Sequence, residues 1–373
     1  MIYYDNAATT PPLRPDNYTP TFFANPSSPH KLGITSERQL HIARTQIATI
    51  LQCQPKEIIF TSGATESNNL ALIGLAMANQ RNKLTFFSQP WEHPSIIEPL
   101  TYIKSQKIAD VHIAPMNNWA SIPADKKVVV LSHINSETGA ISDIATIASK
   151  LKQEDPSTII IVDGAQSFCK INTPFLPSID MYSFSAHKCH GPTGVGGLVL
   201  RQGIRLSPLL HGGNQENSMR AGTENTGGIL QLATTATELF NNMDTHYNHV
   251  SQIKATLLTI TKELPGISEN IPHTADTTSQ KISPYILNLS AEGIRGEILV
   301  HMLSEHGLYV SMGTACRSRK NKKSALELMG FTPDIATNSI RLSFSHQNTL
   351  EEAETAKRIV CKCIQQLRKT LNF

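Results

Sequence analysis

Four short strand-like runs in this chain end in residues able to do chemistry: "TSGATE" (61–66), "SHINSETG" (132–139), "VDGAQS" (162–167) and "SAHK" (185–188). In the last, His187 and Lys188 precede the glycine-rich "GPTGVGG" (191–197). A lysine there is either an ordinary surface charge or a nucleophilic amine held at a strand end. In "TSGATE", Gly63 permits a tight turn into a helix beginning near Thr65. The first amides and the positive end of the helix dipole then suit a phosphate, with the Thr65 hydroxyl as a further donor. The alternative is a plain helix cap, because Ser or Thr followed by Glu is a capping pattern. The spacing is neither a Walker-type loop, which needs a lysine, nor a dinucleotide fingerprint. In "VDGAQS", Asp163 closes an apolar run, where a carboxylate is costly unless a cation faces it. A protonated pyridine nitrogen is one such cation, with Gln166 in reach of a ring oxygen; capping of the next turn is the other reading.

These residues need a frame. Apolar runs at 57–61, 84–88, 127–132, 158–163, 181–185 and 196–200 alternate with helix-like stretches such as "ESNNLALIGLAMANQ" and "DIATIASKLKQ". That alternation predicts a mostly parallel sheet, whose C-terminal strand ends converge on one crevice. A second unit starts near Phe240 with a long helix, continues through "PYILNLS" and "IRLSFS", and ends in the helical "EEAETAKRIVCKCIQQLRKTL". With 373 residues, 40% of them hydrophobic, the chain can bury two cores. A net charge of +3 is too mild to argue for direct nucleic-acid binding. No run of eighteen apolar residues suggests a membrane span, and the first residues lack the pattern of a signal peptide, so a cytoplasmic protein is expected. The six cysteines are scattered, which suggests neither a zinc site nor a disulfide framework. No metal site is expected, and most of the thiols read as packing.

A phosphate cradle, a strand-end aspartate and a later strand-end lysine are the parts needed to hold pyridoxal phosphate as a Schiff base. At this point the chain resembles the class V branch of fold-type I pyridoxal-phosphate enzymes, and within it the NifS/IscS-type cysteine desulfurases. The likeness is carried by "YYDNAATTPP", "ANPSSPHKLG", "FTSGATESNN", "EHPSI", "SHINSETGA", "VDGAQS", "SFSAHKCHGPTGVGGL", "HGGNQENSMRAGT", "VSMGTACRS" and "SIRLSFS", in order along nearly the whole chain. It implies an α/β fold with a mostly parallel seven-stranded sheet in a large cofactor-binding domain (14–240). A smaller α+β domain (1–13 and 241–373) would carry the Cys316 loop and Arg341.

It also implies roles. Lys188 would bond covalently to the cofactor and move protons at the substrate Cα. Ala64 and Thr65 would bind phosphate, with Ser185 and His187 adding donors and Thr223 reaching the phosphate of a neighbouring subunit in a homodimer. Asp163 would pair with the pyridine nitrogen and Gln166 with the ring hydroxyl. His93 would stack on the ring and assist proton transfer; taken alone it reads as a satisfied loop histidine. Arg341 would hold the substrate carboxylate, which suits a guanidinium fork.

Cys316 would take sulfur from L-cysteine as a persulfide, leaving L-alanine, and pass it to a protein acceptor for iron–sulfur cluster assembly or tRNA thiolation. The basic "RSRKNKK" (317–323) either favours its thiolate and attracts an acidic acceptor or is simply a solvated charge run. The pattern departs from the family at Ser136 and Asn217, where asparagine and arginine are usual, and at Ser345-His346, where glycine-arginine is usual. The chain also stops at Phe373, before the extension with which housekeeping members dock their scaffold. Cys189 reads as a core thiol. Another class V reaction (an aminotransferase, lyase or epimerase) and a weakly active regulatory paralogue are the competing readings.

Overall fold

Strands buried on both faces read as continuous apolar runs, and the longest such runs here form the middle of a seven-stranded sheet. The computed structural model describes residues 1–13, 24–119, 122, 124–172, 177–272, 281–312 and 323–371. Across the sheet the strands are Ile58–Thr61, Gly196–Leu200, Met181–Ser185, Ile159–Asp163, Lys126–Ser132, Leu84–Ser88 and Asp110–Ile113. All pairings are parallel except those of Gly196–Leu200, which runs antiparallel to both neighbours.

The side chains of each strand alternate between two cores. Val129, Leu131, Ile160 and Val162 join the cluster under the helices Lys31–Leu51 and Thr226–Asn241. Val128, Val130, Ile159 and Ile161 join the cluster under the 64–78 and Pro94–Ser105 helical segments, with Leu72, Leu75, Ile96 and Leu100. The edge strand Asp110–Ile113 was not expected. Its sequence, "DVHI", is half polar because only Val111 is fully buried, so it lacks the signature of the central strands.

The register aligns the reactive residues. Ser132 pairs with Asp163, Asp163 with Ser183, Ser185 with Gly196, and Gly196 with Thr61. The start of the one antiparallel strand thus lies level with the C-terminal ends of its parallel neighbours.

The described residues fall into two compact units, one from Pro11–His133 and Asp143–Asn242, the other from Met1–Thr10, Ile134–Ser142 and Met243–Phe373. The first holds the seven-stranded sheet. The second has a four-stranded antiparallel sheet in the order Ser311–Met312, Ser339–Ser343, Ile286–Ala291 and Ile267–Glu269, with Ile2–Tyr3 pairing to Leu308–Tyr309. Its core includes Tyr4 edge-on to Phe344, with ring centroids 4.9 Å apart. The helix Leu350–Leu371 adds Ala353, Ala356, Val360, Cys363 and Ile364 from one stripe. Cys361, two residues from Cys363, is only partly buried, as the helical period requires.

Ile134–Ser142 joins the second unit although it lies in the middle of the first unit's sequence. It is a turn whose backbone is bonded there: Ser283 N–H donates to Gly139 O at 2.8 Å, Ile141 N–H to Lys281 O at 2.9 Å, and Asn288 Nδ2 to Glu137 O at 3.0 Å.

Candidate active site

The turn out of Ile58–Thr61 is built on glycine. Gly63 has φ 151° and ψ 178°, a conformation that a side chain disfavours. Its Cα lies so close to Gly196 that a Cβ on Gly196 would sit 2.6 Å from it and 2.5 Å from Phe184 O. Both glycines are therefore required for this approach. The helix that follows starts at Ala64, with Gly63 as its cap residue and no side chain capping it. The capping reading of "TSGATE" is not realised. Glu66 instead accepts from Ser62 N–H at 2.8 Å through Oε2 and from Arg220 Nε at 3.0 Å through Oε1.

Ser185 ends its strand beside this turn. It is 1% exposed, and its Oγ is buried without a hydrogen-bond partner among the described residues; a Cβ on Gly63 would lie 3.4 Å from it. A buried hydroxyl left unmatched costs free energy unless a ligand completes it. His187 and the partly buried Lys188 follow in a single 3-10 turn, Ala186–Lys188. Burial first, then the positive charges of Lys188 and Lys170, push the His187 pKa down to about 4. At neutral pH the His187 imidazole is therefore uncharged. Cys189 points into the core, 1% exposed, with Sγ 3.3 Å from Ala186 O.

Asp163 is 7% exposed, and both of its oxygens are engaged. Oδ1 accepts from Ala165 N–H at 2.8 Å, so it does cap the turn, and Oδ2 accepts from Asn68 Nδ2 at 2.9 Å. Asn68 Nδ2 also donates to Ser95 Oγ at 2.9 Å, and Ser95 Oγ lies 2.8 Å from His93 Nδ1. His93 caps the helix Pro94–Ser105 by accepting from Ser95 N–H at 3.1 Å. Gln166 Oε1 accepts from Lys170 Nζ at 3.2 Å. Beside Asp163, burial raises the Glu92 carboxyl pKa to about 7, with the Asp163 charge adding to the rise. The bonds from Ser132 N–H and from the Ser132 hydroxyl oppose that rise without cancelling it.

One family model, aminotransferase class-V, matches residues 2–355. The chain belongs to the class-V aminotransferase family. Its relatives in this family match over almost their full length. A protein of Lactobacillus delbrueckii subsp. bulgaricus described as a NifS/IcsS protein homolog is 36% identical over 370 residues, covering 95% of this chain and 94% of the relative. A cysteine desulfurase IscS of Buchnera aphidicola subsp. Schizaphis graminum is 34% identical, with 98% and 93% covered. A solved structure described as a NifS-like protein superposes with a TM-score of 0.85 at 29% identity, covering 98% of this chain and 99% of that one.

The class-V enzymes depend on pyridoxal phosphate, and the residues present fit that group. The uncapped helix start at Ala64 and Thr65, the unmatched Ser185 Oγ and the neutral His187 offer donors to a phosphate. Asp163 offers a fixed carboxylate to a pyridine nitrogen. These residues, with Gln166 and Lys188, belong to one compact unit.

Thr223 is exposed after Gly222, whose φ is 100°. Asn217 sits in the left-handed region (φ 55°, ψ 39°) between Glu216 and Ser218, which share it. Asparagine tolerates this backbone better than arginine does.

Arg341 belongs to the other unit. It is 7% exposed, with Nη2 3.2 Å from Asp5 Oδ1, and Nη1 2.9 Å from Ser136 O and 3.4 Å from Glu137 Oε1. Its Nε is buried without a partner among the described residues. The Ser136 backbone thus helps to hold the guanidinium. Cys316 and residues 317–322 of the basic stretch lie outside the described residues.

Sequence reading missed Asn68, Ser95, Ser132 and Glu92. Ser95 alone carried a signal, a hydroxyl two residues after His93 at a helix start. The others are recognisable only from their neighbours in space.

Proposed function

We propose that this chain is a pyridoxal-phosphate-dependent cysteine desulfurase. It converts L-cysteine to L-alanine and carries the sulfur away as a persulfide on Cys316. The observation that carries the reading is the near full-length relationship to proteins named cysteine desulfurase, in a chain that has Lys188, Asp163, His93, Arg341 and Cys316 in the motifs quoted above.

Pyridoxal phosphate, when bound, supplies an electron sink for the bonds at the substrate's Cα. The chain supplies the rest. Ala64 and Thr65 amides, with Ser185 and His187, hold the phosphate, and Thr223 of a second copy completes that site in a homodimer. Asp163 keeps the pyridine nitrogen protonated, Gln166 binds the ring hydroxyl and His93 covers the ring face. Arg341 holds the substrate carboxylate through charge-assisted hydrogen bonds. Lys188 anchors the ring and takes and returns the proton at Cα through Nζ. The Cys316 thiolate forms an S–S bond to the substrate sulfur as the Cβ–S bond breaks, and a proton delivered to Cβ completes alanine. The basic stretch after Cys316 favours its thiolate and meets an acidic protein acceptor, either an iron–sulfur scaffold or a tRNA-thiolation protein.

Among the described residues no helix is long and apolar enough to cross a membrane. The IscS-type relationship supports the reading of a cytoplasmic enzyme.

Alanine formed from L-cysteine tests this, with wild type and Lys188→Ala compared at saturating cofactor. Alanine from the wild type alone is expected. A wild type that shows the lysine-bound chromophore and makes no alanine would assign it to another class V reaction.

A further inference from the structure

We propose that Ser95 and Asn68 are positioning residues that fix which nitrogen of His93 carries its proton and tie that imidazole to the Asp163 carboxylate. The inference rests on the reading of Asp163 and His93 as cofactor contacts. It is carried by the direction of three consecutive hydrogen bonds among residues of one compact unit.

The direction follows from the chemistry of the groups. An ionised carboxylate only accepts, so the Asn68 atom 2.9 Å from Asp163 Oδ2 must be the amide nitrogen, not the oxygen. That nitrogen has two protons. The second points to Ser95 Oγ, also at 2.9 Å. Ser95 Oγ therefore accepts from Asn68, and its own proton goes to its remaining neighbour, His93 Nδ1, at 2.8 Å. The same Nδ1 accepts the Ser95 backbone N–H at 3.1 Å. With two donors aimed at Nδ1, the neutral ring keeps its proton on Nε2.

The helix cap alone does not require this arrangement. The Ser95 N–H to Nδ1 bond already caps the helix. A serine hydroxyl in a first helical turn has solvent and local backbone as alternative partners. Here Ser95 is 7% exposed and Asn68 is 2% exposed, so the series is shielded from water, where hydrogen bonds strengthen one another. Asn68 also completes the clamp on Asp163, whose other oxygen is held by Ala165 N–H. One amide thus orients the carboxylate assigned to the ring nitrogen and, through Ser95, the imidazole assigned to the ring face. His93 is presented as a hydrogen-bond donor at Nε2, with its ring plane pinned through Nδ1. It does not serve as a base at Nε2.

The test is histidine-selective nitrogen NMR of the holoenzyme, with the His93 signals assigned by His93→Gln. In the wild type, Nε2 should be protonated and Nδ1 should show the shift of a hydrogen-bonded acceptor. Ser95→Ala should move Nδ1 toward its unbonded position and admit the other tautomer; Ser95→Thr, which keeps the hydroxyl, should restore the wild-type spectrum. Asn68→Leu should reproduce the Ser95→Ala spectrum although residue 68 does not touch His93. If Asn68→Leu fails to fold, the Ser95 pair decides alone. For turnover of L-cysteine, Ser95→Ala should lower kcat about fivefold with KM changed less than about twofold, and threonine should restore it. A wild-type His93 protonated on Nδ1, or a Ser95→Ala spectrum identical to wild type, overturns the proposal. A wild type that makes no alanine but keeps the Ser95-dependent Nε2–H form sinks the desulfurase reading and leaves this one standing.

Discussion

Replacing Glu92 by glutamine should reverse part of the protein's pH dependence of stability. Glu92 is buried beside Asp163, and its carboxyl pKa is raised from an ordinary 4.5 to about 7. Burial is the main cause, and the Asp163 charge adds to it. Between those two pH values the folded protein keeps a proton that the unfolded chain releases. Folded-state stability from this group is therefore intact below about pH 4.5, falls by about 1.4 kcal/mol per pH unit above it, and has fallen fully once pH passes about 7. The accumulated loss approaches about 3 kcal/mol. Glutamine keeps an acceptor for the Ser132 N–H and hydroxyl and never ionises. Urea unfolding of both proteins, with equal excess of pyridoxal phosphate at pH values from about 5 to about 8, reads the difference. Glu92→Gln should gain on wild type steadily across that range and by about 3 kcal/mol at the top. The comparison must be a difference. His133 has its pKa lowered to about 4 by burial, and His187 likewise by burial and neighbouring lysines. Both favour the folded state above their ordinary value and lose that contribution as pH falls toward about 4. Parallel stability curves for the two proteins would refute the burial argument for Glu92.

Gly63→Ala should weaken pyridoxal phosphate binding about 5- to 150-fold, since the bound turn then carries about 1–3 kcal/mol of backbone strain that the empty site can relax; fluorescence titration of the cofactor checks this. Arg341→Lys should retain the cofactor and raise KM for L-cysteine about 10- to 100-fold, because an ammonium cannot keep the bonds to Asp5 and the Ser136 carbonyl and still give the substrate carboxylate charge-assisted bonds worth about 1.5–3 kcal/mol; steady-state kinetics beside a cofactor absorbance spectrum separates the two effects. Tyr4→Phe should stabilise the protein by about 1 kcal/mol, as the Tyr4 hydroxyl is fully buried without a partner among the described residues; a higher urea midpoint is the readout.

The central strands were legible because burial on both faces leaves an uninterrupted apolar signature, as in "IIIVD" at Ile159–Asp163. Asp110–Ile113 was not, since an edge strand needs no such run. The turn at Ile134–Ser142 reads as part of the first unit by sequence, and only its backbone bonds to Lys281, Ser283 and Asn288 put it in the second. The same limit governs the site. Strand-end Asp163, Ser185 and Lys188 stand out because polar residues interrupt apolar runs there. Asn68, Ser95 and Asp163 are joined across 27 and 95 residues of sequence, and no local spacing encodes that meeting. The left-handed run Glu216–Ser218 is equally silent, because non-glycine residues rarely adopt it.

The most direct measurement is a single turnover of the holoenzyme with L-cysteine, quenched by alkylation. Peptide mass mapping then locates the sulfur while alanine is quantified in the same sample. The account predicts alanine and a persulfide on Cys316 in equal amounts, with both lost in Cys316→Ala. Alanine formed without any persulfide on Cys316, or undiminished in Cys316→Ala, would contradict it.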